Sequence, residues 1–436
     1  MKRILCFVIC IMMILSFSAC QQNSDMPTTI QPAVKKHPTV SGTFMQPWAF
    51  KQYDQARMDQ HLQYLKDVGI ELLIIQSSFD VSEQSKELSE KDMAFLAVVL
   101  EAAQKVDMEV YVGLANDGDW WKKVFNDQQW LDDHVDISLK GAKKIYDTYK
   151  SQYQDTLTGW YFWPEYWNMD LDAAQTARGA KFLSDYRDGL YAIDSNMPML
   201  LSPFITSAVD AKKTEVFWKD ILSASTLRDG DIFCCQDSVG AGHVTINEMD
   251  AYFAVMKAAA DTKPGLLFWA NNEDFTPDYK SADMGRFKQQ LDITDKYVQK
   301  HISFSFCHYR NPDMGKVKGK AYEAYKYYFQ TGKLVEGKPA KPTVTVESHS
   351  QGLQVEFDVT VDNAAGSIHS VVITKDGEII HEHIFGSDET VLNHRHMDIN
   401  MDQPLVKRLY EVYVVDIYGN RSDSHSEFVT VFTIGM

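Results

Sequence analysis

Between Ser41 and Gln330, short apolar runs alternate with amphipathic stretches, and this alternation narrows the choice of fold furthest. A strand-length apolar run followed by a helical stripe is the mark of a βα unit, and repeated βα units build a parallel sheet. Eight runs read as strands: Gly42–Trp48, Ile70–Phe79, Glu109–Asn116, Leu157–Glu165, Met197–Ile205, Asp231–Asp237, Gly265–Glu273 and Ile302–Tyr309. Between them, Asp54–Val68, Lys91–Val106, Leu171–Ile193, Glu248–Ala260, Met284–Lys300 and Lys318–Phe329 carry helical patterns. Val216–Leu222 and part of Trp120–Tyr149 carry weaker ones. Eight such units fit an α/β fold of the (β/α)8 TIM-barrel type over residues 41–331. A doubly wound open sheet is the alternative. No GxGxxG or Walker loop follows the first strand, which speaks against a nucleotide-binding version of it.

The flanking segments read differently. Lys2 and Arg3 precede an apolar run from Ile4 to Phe17 that is short for a membrane span. Ser18-Ala19-Cys20 then resembles the bacterial lipobox, with Phe17 where Leu is usual. Residues 1–20 are therefore read as a lipoprotein signal with Cys20 as the lipid-modified residue, and 21–40 as a polar tether. An ordinary secretory signal cut elsewhere is the alternative. Either way the protein is exported, and a lipoprotein would sit on the outer face of a bacterial membrane, held by its lipid alone. Cys234, Cys235 and Cys307 read as small buried hydrophobes.

Residues 332–342 read as a linker with two glycines, two prolines and three lysines. Beyond it, 343–436 turns to strand patterns at Thr343–Glu347, Leu353–Val361, His369–Thr374, Glu378–Ile384, Tyr410–Asp416 and Glu427–Phe432. Asp376-Gly377 is a hairpin signal. This predicts a small all-β sandwich of the immunoglobulin or fibronectin type III kind. His381, His383, His394 and His396 are read as solvated strand residues, and neither a metal nor a cofactor is expected. The formal charge of −17, with no basic stripe, speaks against nucleic acid as a partner.

The candidate chemistry lies at the strand ends, since active sites of β/α barrels sit at the C-terminal ends of the strands. Gly159–Trp167 is crowded with aromatics and carries no charge before Glu165. On a strand Tyr161, Trp163 and Glu165 share one face, and Trp160 and Phe162 the other. Pro164 cannot donate to a ladder and marks the strand's end. A carboxylate there is costly unless paired or functional. Its alternative reading is a salt-bridged structural group. Other strand ends offer Gln46 and Trp48, Gln76, Asn116 with Trp120 beyond, Asp237, Asn271 before Glu273, and His308. Amides, carboxylates and aromatics together suit sugars, whose hydroxyls need fixed donors and acceptors and whose C–H faces pack on rings. The apolar neighbours of Glu165 should raise its pKa, while Asn271 and Asn272 could keep Glu273 ionised. Two carboxyls tuned apart suit glycoside hydrolysis. Asp237 is the rival carboxylate, read as an orienting group.

Gly42–Trp48, Trp160–Glu165, Gln236–Gly240 and Phe268–Phe275 together resemble a bacterial family of unknown function whose members are described as TIM-barrel glycosyl hydrolases. The resemblance covers about Ser41 to Gln330. It extends to the large clan of retaining glycosidases, and implies acid/base work for Glu165 and the nucleophile for Glu273. Pro164 stands where that clan commonly has Asn, so the amide for the sugar 2-hydroxyl would come from Asn116 or Gln236. Retention would place the two carboxyls about 5–5.5 Å apart, and inversion about 6.5–9.5 Å. The expected function is a cell-surface glycoside hydrolase. The alternative is a surface lipoprotein that binds carbohydrate without cleaving it; a structural surface protein, or a metallohydrolase, ranks lower.

Overall fold

The structure is a computed structural model, and it describes residues 37–81, 86–349, 353–399 and 406–431. Residues 1–36, including Cys20 and most of the tether, lie outside the described residues. Eight parallel strands close into a barrel: β1 (Val40–Met45), β2 (Leu72–Ile75), β3 (Glu109–Gly113), β4 (Leu157–Phe162), β5 (Met199–Leu201), β6 (Ile232–Gln236), β7 (Leu267–Glu273) and β8 (His301–Phe304). Each strand pairs with its sequence neighbours, and β8 pairs with β1 to complete the ring.

Alternation along each strand divides the side chains between two cores. Phe44, Ile74, Tyr111, Tyr161, Cys234 and Trp269 point inward and fill the barrel. Trp160, Phe162, Phe233 and Phe268 point outward against the helices. Those helices are α1 (Gln55–Lys66), α2 (Glu90–Lys105), α3 (Gln128–Tyr149), α4 (Ala173–Ile193), α5 (Ala211–Ala224), α6 (Ile246–Ala260), α7 (Met284–Thr294) and α8 (Lys316–Thr331). Asp54, Ser89, Asp127, Asp172, Asp210 and Asp283 cap six of them by accepting from a backbone N–H of the first turn, each worth about 1 kcal/mol. Cys234, Cys235 and Cys307 are unbridged and buried.

The eighth strand is shorter than its sequence pattern. It stops at Phe304, and Phe306–Tyr309 forms a helical turn because Ser305 accepts the His308 N–H. Two buried ion pairs hold the barrel's ends. Asp231, just before β6, meets Arg187 of α4 at 2.5 Å and also accepts the Met199 N–H at 2.9 Å. Just after β7, Asp274 meets Arg310 at 2.6 Å, and Arg310 donates further to the carbonyls of Ala282 and Ala321.

After residues 332–342, which have no regular secondary structure, seven antiparallel strands follow. They are β9 (Thr343–His349), β10 (Gln354–Asp362), β11 (Ile368–Lys375), β12 (Glu378–Ile384), β13 (Val391–Ile399), β14 (Val406–Asp416) and β15 (His425–Val431). One sheet runs β9-β10-β13 and the other β12-β11-β14-β15. Val355, Phe357 and Val359 of the first share a core with Val371, Ile373 and Val412 of the second. Strand β13 carries no run of apolar residues and escapes the sequence pattern. The sandwich rests on the barrel's last helices, where Val317 and Ala321 pack on Ile417 and the Met284 N–H donates to the Ile417 carbonyl at 2.9 Å.

Candidate active site

The C-terminal ends of the strands enclose two adjoining hollows. One, of about 250 Å³, lies among Gln46, Trp48, Gln76, Asn116, Trp120, Trp121, Trp163 and Glu165, with Lys51 and Asp80 at its edge. The other, of about 240 Å³, lies among Gln46, Gln76, Trp121, Glu165, Phe204, Gln236, His243, Glu273, Phe275, Tyr279 and Phe304. Gln46, Gln76, Trp121 and Glu165 belong to both and form the partition. Together the hollows fall in the roughly 300–1,000 Å³ range of small-ligand sites. Trp48, Trp121 and Tyr279 stand 72%, 55% and 75% exposed around them. Large rings left in water at a cleft's rim offer flat apolar faces to a ligand.

Glu165 sits just past β4, half-buried among aromatic walls. Burial pushes its carboxyl up to about 7, offset only in part by the Gln236 side chain. That amide stands 3.5 Å from Glu165 Oε1 and donates at 2.7 Å to the Ser202 carbonyl. Gln236 therefore reaches the cavity holding both glutamates, whereas Asn116 lines the other hollow and donates to Asp80 at 2.7 Å.

Glu273 ends β7 and is 2% exposed. The Ala241 N–H donates to its Oε2 at 2.7 Å, which fixes one carboxyl oxygen. Gly240 makes that approach possible: a Cβ there would lie 2.6 Å from the Phe275 carbonyl oxygen and 2.8 Å from Glu273 Cβ. Burial first, and then the neighbouring Asp237 charge, push Glu273 up to about 8, against the pull of the Ala241 N–H and Arg286. The charge of Glu165 adds to the rise, so the two glutamates feel each other across the cavity.

Several expected roles are corrected here. Asn271 and Asn272 do not hydrogen-bond Glu273. The Asn271 amide donates to Ser202 Oγ at 3.1 Å, and the Asn272 amide turns to Asp237 at 3.0 Å. Glu273 is consequently raised rather than kept ionised. Asp237 is fully buried and lines neither hollow; it accepts from Gln290 at 2.7 Å and from the Glu273 backbone N–H at 3.3 Å. Its place is behind Glu273, anchoring that residue's backbone. Tyr161 belongs to the barrel's interior core, below the mouth. Asn271 is buried beside Gln236 in the ladder and lines neither hollow. His308 is buried behind the first hollow and accepts the Gln46 N–H through Nε2 at 3.1 Å. Burial pushes its imidazole down to about 3, so it supports Gln46 in the neutral form. Trp167 stacks on Phe204 at 5.5 Å and braces Trp121 from behind. Gln46, Trp48, Gln76, Asn116, Trp120 and Trp163 do line the first hollow.

Phe204, His243, Phe275 and Tyr279 are cavity residues that strand-end reasoning passes over. His243, Phe275 and Tyr279 come from loops, where no periodicity marks a side chain's direction, and Phe204 lies past Leu201, where β5 ends short of its sequence pattern. Phe275 and Tyr279 stack at 6.0 Å with an interplanar angle of 6°, forming one wall.

The raised carboxyls carry a stability consequence. A carboxyl whose folded pKa lies above its unfolded value makes the fold most stable while protonated, and that stability is lost as pH rises from about 4.5 through the folded pKa. Glu273→Gln should therefore stabilise the protein at pH 8 by roughly 1–3 kcal/mol, with the gain shrinking toward pH 5. Urea denaturation at the two pH values checks this. A variant less stable than the natural protein at pH 8 would contradict it.

No curated protein matches the chain in sequence. Among solved structures it resembles a candidate alpha-L-fucosidase from Bacteroides thetaiotaomicron VPI-5482, with 20% identity and a TM-score of 0.57 over 71% of this chain and 98% of that one. That likeness is one of fold. The endo-beta-1,4-mannanase from Thermotoga petrophila aligns over 92% of this chain and 99% of its own, with 11% identity and a TM-score of 0.46. The profile of one sequence family matches residues 40–316, from the first barrel strand into α8, and the chain belongs to that family, described as a domain of unknown function, DUF4434.

Proposed function

We propose that the protein is a glycoside hydrolase that works by two glutamates. The observation that carries this reading is that Glu165 and Glu273, from the ends of β4 and β7, line one cavity walled by aromatic rings. The partition at Glu165 suggests how a substrate lies. The sugar under attack occupies the hollow of Glu273, and the leaving group occupies the hollow of Trp48, Trp120 and Trp163.

In the retaining mechanism, a Glu273 oxygen attacks the anomeric carbon while the Glu165 proton passes to the departing glycosidic oxygen. Water, giving its proton to Glu165, then releases the sugar and frees Glu273. The assignment follows the fixed Oε2 of Glu273, held by a backbone N–H with Arg286 nearby, against the loosely held carboxyl of Glu165. Gln236 is the amide best placed to contact the attacked sugar.

Catalysis needs the pair's single proton on Glu165 and the charge on Glu273. Burial and the Asp237 charge raise Glu273 at least as far as Glu165, so substrate binding must favour the form protonated at Glu165. Activity should fall on the acid side when both carboxyls are protonated and on the alkaline side when both are ionised. The bell is narrow, with limbs set by groups near 7 and 8. A screen of polysaccharides and aryl glycosides identifies the substrate. On it, Glu165→Gln and Glu273→Gln should each cost at least about a hundredfold in kcat. Undiminished turnover in either variant removes that residue from the mechanism.

We also propose that the enzyme acts at the outer face of a bacterial membrane, carried there by residues 1–20 and anchored through lipid on Cys20, with 21–40 as tether, 41–331 as barrel, 332–342 as linker and 343–436 as sandwich. Cys20→Ala should move the protein from the membrane fraction to the soluble one. Unchanged membrane association would argue against the anchor.

A further inference from the structure

The open edge of the sandwich holds a cluster that the barrel chemistry does not use. Strand β12 is the edge of one sheet and β13 the edge of the other. Along β13, Leu392, His394 and His396 share a face, and Leu392 is buried in the sandwich core. His394 pairs with Val359 and His396 with Phe357 on β10; both partners are core residues. On β12, His381 pairs with Ile373, another core residue. At this edge, then, imidazoles stand where the two-sheet core would otherwise present apolar side chains. Side chains opposite each other on one sheet face are neighbours, so the placement follows from register.

The three rings meet across the gap between the sheets. His381 and His394 have centroids 4.6 Å apart, and His381 and His396 4.3 Å apart. One ligating nitrogen from each of the three lies within 4.8 Å of the others. Nε2 of His381 and Nε2 of His394 are both buried without a hydrogen-bond partner. A buried polar atom left unpaired is costly, and two beside each other point to a missing shared partner.

We propose that His381, His394 and His396 form a binding site for a zinc-class divalent transition metal ion that clasps the two sheets at their open edge. Neutral imidazole nitrogen is a preferred ligand for zinc and its transition-metal neighbours, whereas magnesium and calcium take oxygen. Three nitrogens leave a fourth tetrahedral position for water. The ion bonds to strands of different sheets, so its role is structural and independent of the reading given to the barrel. Nearby, His383 is engaged by Glu389 at 3.0 Å and stands outside the set.

The test uses the full chain, untagged and stripped with chelator, titrated with Zn2+ in a calorimeter. One ion should bind per chain, excess Mg2+ or Ca2+ should not compete, and Co2+ should give the visible spectrum of a tetrahedral nitrogen site. His381→Gln and His396→Gln should each weaken Zn2+ binding at least tenfold, with an unchanged circular dichroism spectrum showing that the fold survives. The absence of saturable one-to-one binding in the natural chain would overturn the proposal. So would binding as tight as the natural chain's in both folded variants.

Discussion

The site depends on two carboxyl groups at the mouth of one closed barrel, Glu273 buried and Glu165 half-buried. An isolated carboxylate moved into a protein interior loses hydration, and it answers by keeping its proton into the neutral range. Glu165 and Glu273 both do so, for the same first cause. Closure of the sheet brings them together: β4 and β7 lie on different arcs of the ring, and their C-terminal ends look into one hollow. The local sequence does the rest. Gly240 admits the Ala241 N–H to Glu273, and Asp237 takes up the Glu273 backbone. Asp237 itself is raised by burial and relieved by donors from Gln290 and Asn272. Three acidic residues thus occupy graded positions, from cavity wall to interior anchor.

The sandwich contributes to that cavity without facing it. The loop after β7 carries Phe275 and Tyr279, one wall of the Glu273 hollow. Its far end is tied to the sandwich, where His369 Nε2 meets the Ser281 carbonyl at 2.9 Å and Lys280 donates to the Ile384 carbonyl. Gly285 and Gly419 approach so closely that a Cβ on Gly419 would lie 2.9 Å from the Gly285 Cα. The sandwich thus braces a wall of the site. A cavity wall held on rigid supports keeps its geometry better than a free loop would.

Much of this was legible in the chain. The alternation of apolar runs and amphipathic stripes dictates the barrel, and the rule that barrels act at their strand ends leads directly to Glu165, Glu273, Gln46, Gln76 and Asn116. The failures have specific causes. Tyr161 points inward as the period of two requires, but lies too deep to reach the mouth, and depth along a strand is not written in its periodicity. Asn272 neighbours Glu273 in sequence yet faces the helix layer, since adjacent strand residues point to opposite sides. His308 falls on a helical turn that Ser305 caps, where a strand pattern had placed it at a strand's end. Strand β13 escaped because its alternation is written in histidine, arginine and aspartate rather than in apolar residues.

The central claim is that Glu165 and Glu273 share one cavity, close enough for the Glu165 charge to reach Glu273. The most direct measurement is an NMR titration of the Glu273 side-chain carboxyl in the natural protein and in Glu165→Gln. Removing the Glu165 charge should lower the apparent pKa of Glu273, since that charge helps to raise it. A Glu273 titration that is the same in both proteins would contradict the account.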